Sequence, residues 1–513
     1  MSRIFSALIL FFVGIGHAGE AAAVPGTVLG EQRISSSDGR FDGNLGDGDR
    51  FGFSAAGIGD LDGNGVGDVV VGAPLDDDGE GDDTGAVWVL FLDIDGKVEG
   101  EQKISDTAGS FGGTIDAADQ FGLSVTSVGD LDGDGVVDLA VGVPFDDDGD
   151  GEDSGAVWIL FLRSDGKVED AQKISDTAGG FGGKLIAGDL FGYAVAGLGD
   201  LDGDGVGDLA VGAPLDDDGR DDAGAVWVLF LDADGKVADY QKISRKSGDF
   251  EGSLDVGDTF GTSVVSVGDL DADGATDIAV GAPLDNDGEG PDHGAVWILR
   301  LLADGRVKTE QKLSNKEGGF AGTIDRGDLF GWGVAPASDL DGDGVVDLGV
   351  GAPGDDNGGN AKGAVWMFFL QPDDTIGAEL KISDKQGEFG GKLDEGDRFG
   401  HAITAVGDVN QDGVPDLVVG TPYDDDGPGQ DAGAVWVLFM DGVPTTCMDA
   451  DDSGAVTSVD ALVALNAAVG LAACDACRCD VDGSGAVTAT DALVVLNAAV
   501  ALPAEKSCPR CGA

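Results

Sequence analysis

Six short stretches of the chain concentrate oxygen side chains at a spacing that suits a hard cation. The first sets Asp60, Asp62, Asn64 and Asp68 at positions 1, 3, 5 and 9 of a loop, with Gly65 at position 6 for the sharp turn. Val66 stands at position 7, where a backbone carbonyl can turn inward. Such a loop wraps Ca²⁺, which takes about six to eight oxygens in flexible geometry, whereas Mg²⁺ keeps its waters and softer metals prefer His or Cys. The pattern returns as Asp130, Asp132, Asp134, Val136 and Asp138, and as Asp200, Asp202, Asp204, Val206 and Asp208. It continues as Asp269, Asp271, Asp273, Ala275 and Asp277, then Asp339, Asp341, Asp343, Val345 and Asp347, then Asp408, Asn410, Asp412, Val414 and Asp416. Asp and Gly also favour plain turns. So many carboxylates packed into nine residues, six times over, nevertheless repel one another without a cation between them.

Two further loops lie near the C-terminus. Asp449, Asp451, Ser453, Ala455, Thr457 and Asp460 are matched by Asp480, Asp482, Ser484, Ala486, Thr488 and Asp491, at positions 1, 3, 5, 7, 9 and 12. This is EF-hand spacing with Asp in place of the usual Glu at position 12. A helix is expected after each loop, with Leu462, Leu465 and Val469, or Leu493, Leu496 and Val500, on one face. All six cysteines fall between Cys447 and Cys511. Their Cys-x-x-Cys pairs could clasp zinc, but a small exported module favours disulfides, with connectivity left open.

The elements that position the first six loops repeat. Phe-Gly pairs begin at Phe51, Phe121, Phe191, Phe260, Phe330 and Phe399, a period of 69 or 70. The first loop Asp always follows 9 residues later and a Gly-x-Pro proline 14 after that, whereas the interval from Pro to Trp is 14 or 13. All length variation therefore sits in one acidic connection, which reads as a solvated loop with a weaker claim to extra metal. Each unit contains four short strand signals, such as Phe51–Gly59, Asp68–Gly72, Ala86–Leu92 and Glu101–Ser105. Tandem four-stranded units imply an all-β, six-bladed β-propeller. The chain opens on a fourth strand, Glu31–Ser35, and the sixth unit stops after its third, Ala434–Met440, so the two ends are expected to complete one blade and close the ring.

Composition narrows the function. With 29 Lys and Arg against 97 Asp and Glu, the net charge of −68 disfavours nucleic acid and anionic membrane surfaces. Three His residues leave few groups for neutral-pH proton transfer, and no repeat holds a distinctive acid–base or nucleophile set, so an enzyme is not expected. Arg3, the apolar run from Ile4 to Gly16 and the small residues that follow read as a signal peptide over 1–23, with no later membrane span.

At this level of detail the chain resembles the FG-GAP repeats of the integrin α-subunit propeller, seen in Phe51-Gly52 with Gly72-Ala73-Pro74, the second copy departing only in having Val143. The resemblance covers about 27–441 and implies metal in the loops and a protein- or ligand-binding role. Integrin propellers have seven blades, so six departs from that pattern. Beyond a linker at 442–446, the duplicated tail at 447–513 resembles a dockerin, which implies a cohesin-like protein partner recognised through Ser458-Val459 and Ala489-Thr490. The reading is a secreted or cell-surface Ca²⁺-binding adhesion or scaffold protein, with a carbohydrate-binding or polysaccharide-active propeller as the alternative. Arg326-Gly327-Asp328 spells an integrin-recognition tripeptide, but Glu395-Gly396-Asp397 in a sister copy marks it as repeat drift. The residue after Phe-Gly varies through Phe53, Leu123, Tyr193, Thr262, Trp332 and His401, with Tyr193 and Trp332 suited to stacking on a surface glycan.

Overall fold

The structure is a computed structural model that describes residues 25–442 except 78–81, 148–151, 287–292, 357 and 426–428. The expected signal peptide, the 443–446 part of the linker, and the dockerin-like module with its ligand sets from Asp449 to Asp460 and Asp480 to Asp491 lie outside the described residues.

Among the described residues, twenty-four strands form six antiparallel sheets of four, one per repeat. Strand β1 (Val28–Ile34) precedes the first unit, which is built from β2 (Ser54–Gly59), β3 (Asp68–Ala73), β4 (Ala86–Leu92) and β5 (Val98–Ile104). The strands β6 (Ser124–Gly129), β10 (Ala194–Gly199), β14 (Ser263–Gly268), β18 (Val334–Pro336) and β22 (Ile403–Gly407) repeat the role of β2. These six line the axis of the ring. Every residue of β3 is buried, as its continuous apolar run requires of a strand covered on both faces. The polar–apolar outer strand β5 is buried at its two end residues, exposed at Glu99 and half-buried from Gly100 to Lys103.

Blades join face to face through aromatic packing. Phe41 lies 5.2 Å from Phe51 in a stacked contact and 5.0 Å from Trp88 edge-on. The trio recurs, for example as Phe181 with Phe191 and Trp227. Phe51 is fully buried and bridges Gly433 of the neighbouring blade. Gly52 follows at φ +90°, where a Cβ would stand 2.3 Å from the carbonyl oxygen of Ala434, so only glycine fits this close approach. The first strand consequently starts at Ser54 and not at the expected Phe51: the Phe-Gly pair is spent on the latch between blades.

Closure of the ring is as the two incomplete ends require. The last sheet runs in the order β1, β24 (Ala434–Met440), β23 (Asp416–Thr421), β22. Val28 pairs with Met440 and Ile34 with Val435 across the seam.

The metal loops and the two faces of the propeller

Each inner strand delivers the chain into an acidic loop, and each loop returns it into the second strand. In the first, the Asp60 carboxylate accepts N–H bonds from Gly63 at 2.8 Å and Gly65 at 2.9 Å, while Asp62 accepts one from Asn64 at 3.0 Å. These local bonds curl the loop so that its carboxylates converge. Gly65 sits at φ +90°, the left-handed turn that position 6 demands. The side chain at position 7 anchors the loop to the core: Val66 is buried, as are Ala275 and Val414.

The last Asp of each loop also ties the loop to the sheet. One oxygen of Asp68 accepts the Leu61 N–H at 2.8 Å and the other the Leu92 N–H at 3.0 Å, tying the loop to the end of β4. Asp138 makes the equivalent bonds to Leu131 and Leu162, and Asp416 to Val409 and Met440. Burial pushes Asp68 up to about 6 and Asp416 to about 7, since a charge withdrawn from water is costly unless a cation joins it.

Five loops bring three carboxylates within 4.8 Å of one another: Asp60/Asp62/Asp68, Asp130/Asp132/Asp138, Asp200/Asp202/Asp208, Asp269/Asp271/Asp273 and Asp339/Asp341/Asp347. These clusters could hold a metal ion. The sixth has Asn410 at position 3, and its amide donates to Asp412 at 3.2 Å. The fourth carries a feature that its loop sequence does not reveal. Lys308, reaching over from the outer strand of the same blade, places its ammonium 2.7 Å from Asp271 and 2.6 Å from Asp273, where a cation would otherwise bind. Replacing that competitor by Lys308→Gln should raise Ca²⁺ affinity at this loop roughly tenfold, the value of one charge-assisted contact. Native mass spectrometry at limiting Ca²⁺ would show one fewer late-filling site in the variant than in the parent chain; identical filling curves would refute the competition.

The length-variable connection resolves into a buried anchor followed by a loop. Its first Asp pairs with the Lys of the outer strand: Asp76 with Lys103 at 2.7 Å, Asp146 with Lys173 at 2.5 Å, Asp216 with Lys242 at 2.6 Å and Asp285 with Lys312 at 2.8 Å. Lys381 with Asp355 and Arg33 with Asp424 complete the set. Each of these lysines also lies over its Trp ring, Lys103 being 5.2 Å from the centroid of Trp88. These aspartates therefore act as partners of a buried cation rather than as extra metal ligands.

A second buried carboxyl stands beside each anchor, two residues before Phe-Gly. Burial raises Asp49 and Asp258 to about 6 and Asp119 and Asp189 to about 7, and Asp76, Asp285, Asp146 and Asp216 respectively push them further. Asp328, the acidic member of Arg326-Gly327-Asp328, belongs to this set and is 2 % exposed, so that tripeptide presents no free carboxylate. Because the folded pKa lies above the unfolded value of about 3.9, the neutral acid favours the fold, and this contribution fades as pH rises through 6 to 7. In EDTA the melting temperature should therefore climb as pH falls from about 8 to 5.5; a monotonic decline over that range would contradict the burial of these groups.

A repeat model described as the FG-GAP repeat matches residues 51–90, 121–160, 191–229, 260–299, 330–368 and 399–438. Each of the six units thus carries a match to the FG-GAP repeat. Integrin alpha-PS5 of Drosophila melanogaster is 38 % identical over 202 residues, 39 % of this chain and 18 % of that protein. Integrin alpha-6 of Gallus gallus is 36 % identical over 185 residues, 36 % of this chain and 15 % of that protein. Integrin alpha pat-2 of Caenorhabditis elegans is 31 % identical over 304 residues, covering 53 % and 22 %. The aligned stretches thus span between 15 % and 22 % of the length of these relatives. Among the described residues no helix is long and apolar enough to cross a membrane.

The FG-GAP topology assigns the loops to two faces. Metal loops join the first and second strands at one end of the axial channel. The variable connections join the second and third strands at the other end, where Gly85 meets Phe121 of the next blade. The variable positions Phe53, Leu123, Tyr193, Thr262, Trp332 and His401 gather at this second end and line the axial cavity, with Tyr193 and Trp332 only partly buried.

Proposed function

We propose that the protein is an exported adhesion or scaffold molecule whose FG-GAP propeller, stabilised by Ca²⁺, binds a protein or surface ligand. The observation that carries this reading is the closed ring of six FG-GAP repeats whose relatives are integrin alpha chains. In this reading the loops from Asp60–Asp68 to Asp408–Asp416 hold structural Ca²⁺ on one face, and the opposite face, with its variable connections, meets the ligand. The tail at 447–513 docks a cohesin-like partner, and the protein performs no catalysis. A carbohydrate-binding propeller is the second reading, favoured by the exposed edges of Tyr193 and Trp332 at the axial mouth.

The test uses the intact chain as bait for purified secreted and surface components, in Ca²⁺ and in EDTA. Substituting Ser458, Val459, Ala489 and Thr490 together with Asp separates the two binding regions. Capture that needs Ca²⁺ and survives this substitution supports the propeller as the ligand-binding part; capture abolished by it assigns the interaction to the tail. Indifference to EDTA and to the substitution removes the proposal.

A further inference from the structure

The axial cavity measures about 320 Å³, and its two ends differ in chemistry. Towards the metal loops it is lined by small residues such as Gly57, Ser127 and Gly197. At the opposite mouth Trp332, His401 and Phe53, from three consecutive blades, form one aromatic sector. The His401 ring centroid lies 4.2 Å from that of Phe53 and 5.3 Å from that of Trp332.

His401 is 4 % exposed, and its Nδ1 lies 3.1 Å from the carbonyl oxygen of Phe53. A carbonyl only accepts, so Nδ1 carries the proton and Nε2 is left as a bare acceptor. That Nε2 is buried and has no hydrogen-bond partner among the described residues. A buried acceptor left unmatched is unfavourable, and a ligand O–H would relieve it.

Beside this acceptor stands an unusual concentration of positive charge for so acidic a chain. The Tyr423 ring lies 6.3 Å from His401, and the guanidinium carbons of Arg50 and Arg398 sit 4.7 and 4.4 Å from its centroid. Neither arginine forms an ion pair with a carboxylate among the described residues; Arg398 reaches only the Tyr423 hydroxyl, at 3.5 Å, and Arg50 Nε is buried without a partner. The corresponding positions elsewhere hold Gln120, Leu190, Thr259 and Leu329, so the charge is confined to two neighbouring blades.

We propose that this sector of the mouth binds an acidic sugar, a uronate. Its carboxylate suits the two guanidinium forks, a ring hydroxyl donates to His401 Nε2, and its C–H face packs on Trp332 and Phe53. A neutral sugar would leave both arginines unmatched, and the side chain of an acidic peptide brings no hydroxyl to Nε2. Although the protein is strongly anionic and the Asp83 carboxylate lies within electrostatic range of Arg50, charges beyond about 8 Å are screened at physiological ionic strength, and the two guanidiniums together outnumber that one carboxylate. The assignment rests on the reading of this face as ligand-binding.

Isothermal titration of the full chain in Ca²⁺ with trigalacturonate, its methyl ester and a poly-glutamate peptide tests it. Trigalacturonate should bind, and both esterification and Arg50→Gln with Arg398→Gln should weaken it about tenfold or more. His401→Phe, which copies the aromatic residue of the first blade, should also weaken it while leaving the thermal melt close to the parent. No binding at millimolar ligand, equal affinity for the ester, or indifference to the arginine pair would overturn the proposal, and preference for poly-glutamate would overturn it in favour of an acidic peptide. A chain that fails here yet captures a surface component in the Ca²⁺-dependent assay loses only the uronate assignment. One that captures nothing but binds trigalacturonate loses the adhesion reading instead.

Discussion

Stripping Ca²⁺ with EDTA at neutral pH should lower the melting temperature of the intact chain by roughly 18 °C. A ligand at about 100 times its dissociation constant contributes roughly 2.7 kcal/mol per site, and six loops together roughly 16 kcal/mol. Unfolding entropy of about 2.1 cal/mol/K per residue gives the propeller close to 0.9 kcal/mol/K, which converts that loss into the stated shift. The structural reason is the dual role of residues such as Asp68: the carboxylate that faces the cation also holds the N–H groups of Leu61 and Leu92, so an unbalanced charge there loosens the end of β4. Re-addition of Ca²⁺ should restore the melt and Mg²⁺ should not, because these loops offer many protein oxygens, whereas Mg²⁺ takes few protein ligands and keeps its waters. A melt unmoved by EDTA, recorded by calorimetry, would remove the metal assignment from the loops.

Deleting residues 25–36 should abolish the monodisperse monomer. The deletion exposes the edge of β24, removes Val28 and Ile34 from the core, and leaves Asp424 buried without Arg33. Exposed edges recruit other chains, so light scattering should show aggregates or strand-swapped dimers. A finer probe keeps the strand. Arg33→Leu should cost about 3–5 kcal/mol in urea unfolding, as expected when one member of a buried pair is lost. Arg33→Lys should cost under about 1 kcal/mol, because Lys holds this place in the other five blades, as Lys103 does opposite Asp76. A stable monomer lacking 25–36 would refute the seam.

Much of this architecture was readable in the sequence because it is periodic. Fixed spacing from Phe-Gly to the first loop Asp, together with the half-units at both ends, led to six blades and to the pairing of β1 with β24. Repetition also made the loops convincing, and the carboxylates of five of them converge. What escaped was contact between distant positions. Asp76 looked like the start of a solvated loop, yet it is buried against Lys103, and the signal available was that this Asp stands two residues after the proline in every copy while Lys or Arg recurs in the outer strand. Lys308 was invisible for the opposite reason: its sister positions hold Glu99, Glu169 and Ala238, so no repeat pattern marks it, and only the fold brings it to Asp271. Phe51 read as a strand residue because it is apolar, whereas tertiary packing uses it between blades.

The seam also sets how the propeller answers a pulling force. Val28, at the beginning of β1, lies opposite Met440, at the end of β24, and Gly26 and Thr27 exchange backbone bonds with Asp441 at 2.7 Å. Tension applied between the chain on either side of the ring therefore enters at a single corner and peels the two strands apart one hydrogen bond at a time. Tension that enters from the tail side alone and leaves through a ligand on the variable face instead runs lengthwise along β24, loading its bonds to β23 and β1 together. The same ring is mechanically soft along the first path and stiff along the second, so the point of attachment decides how much load it bears.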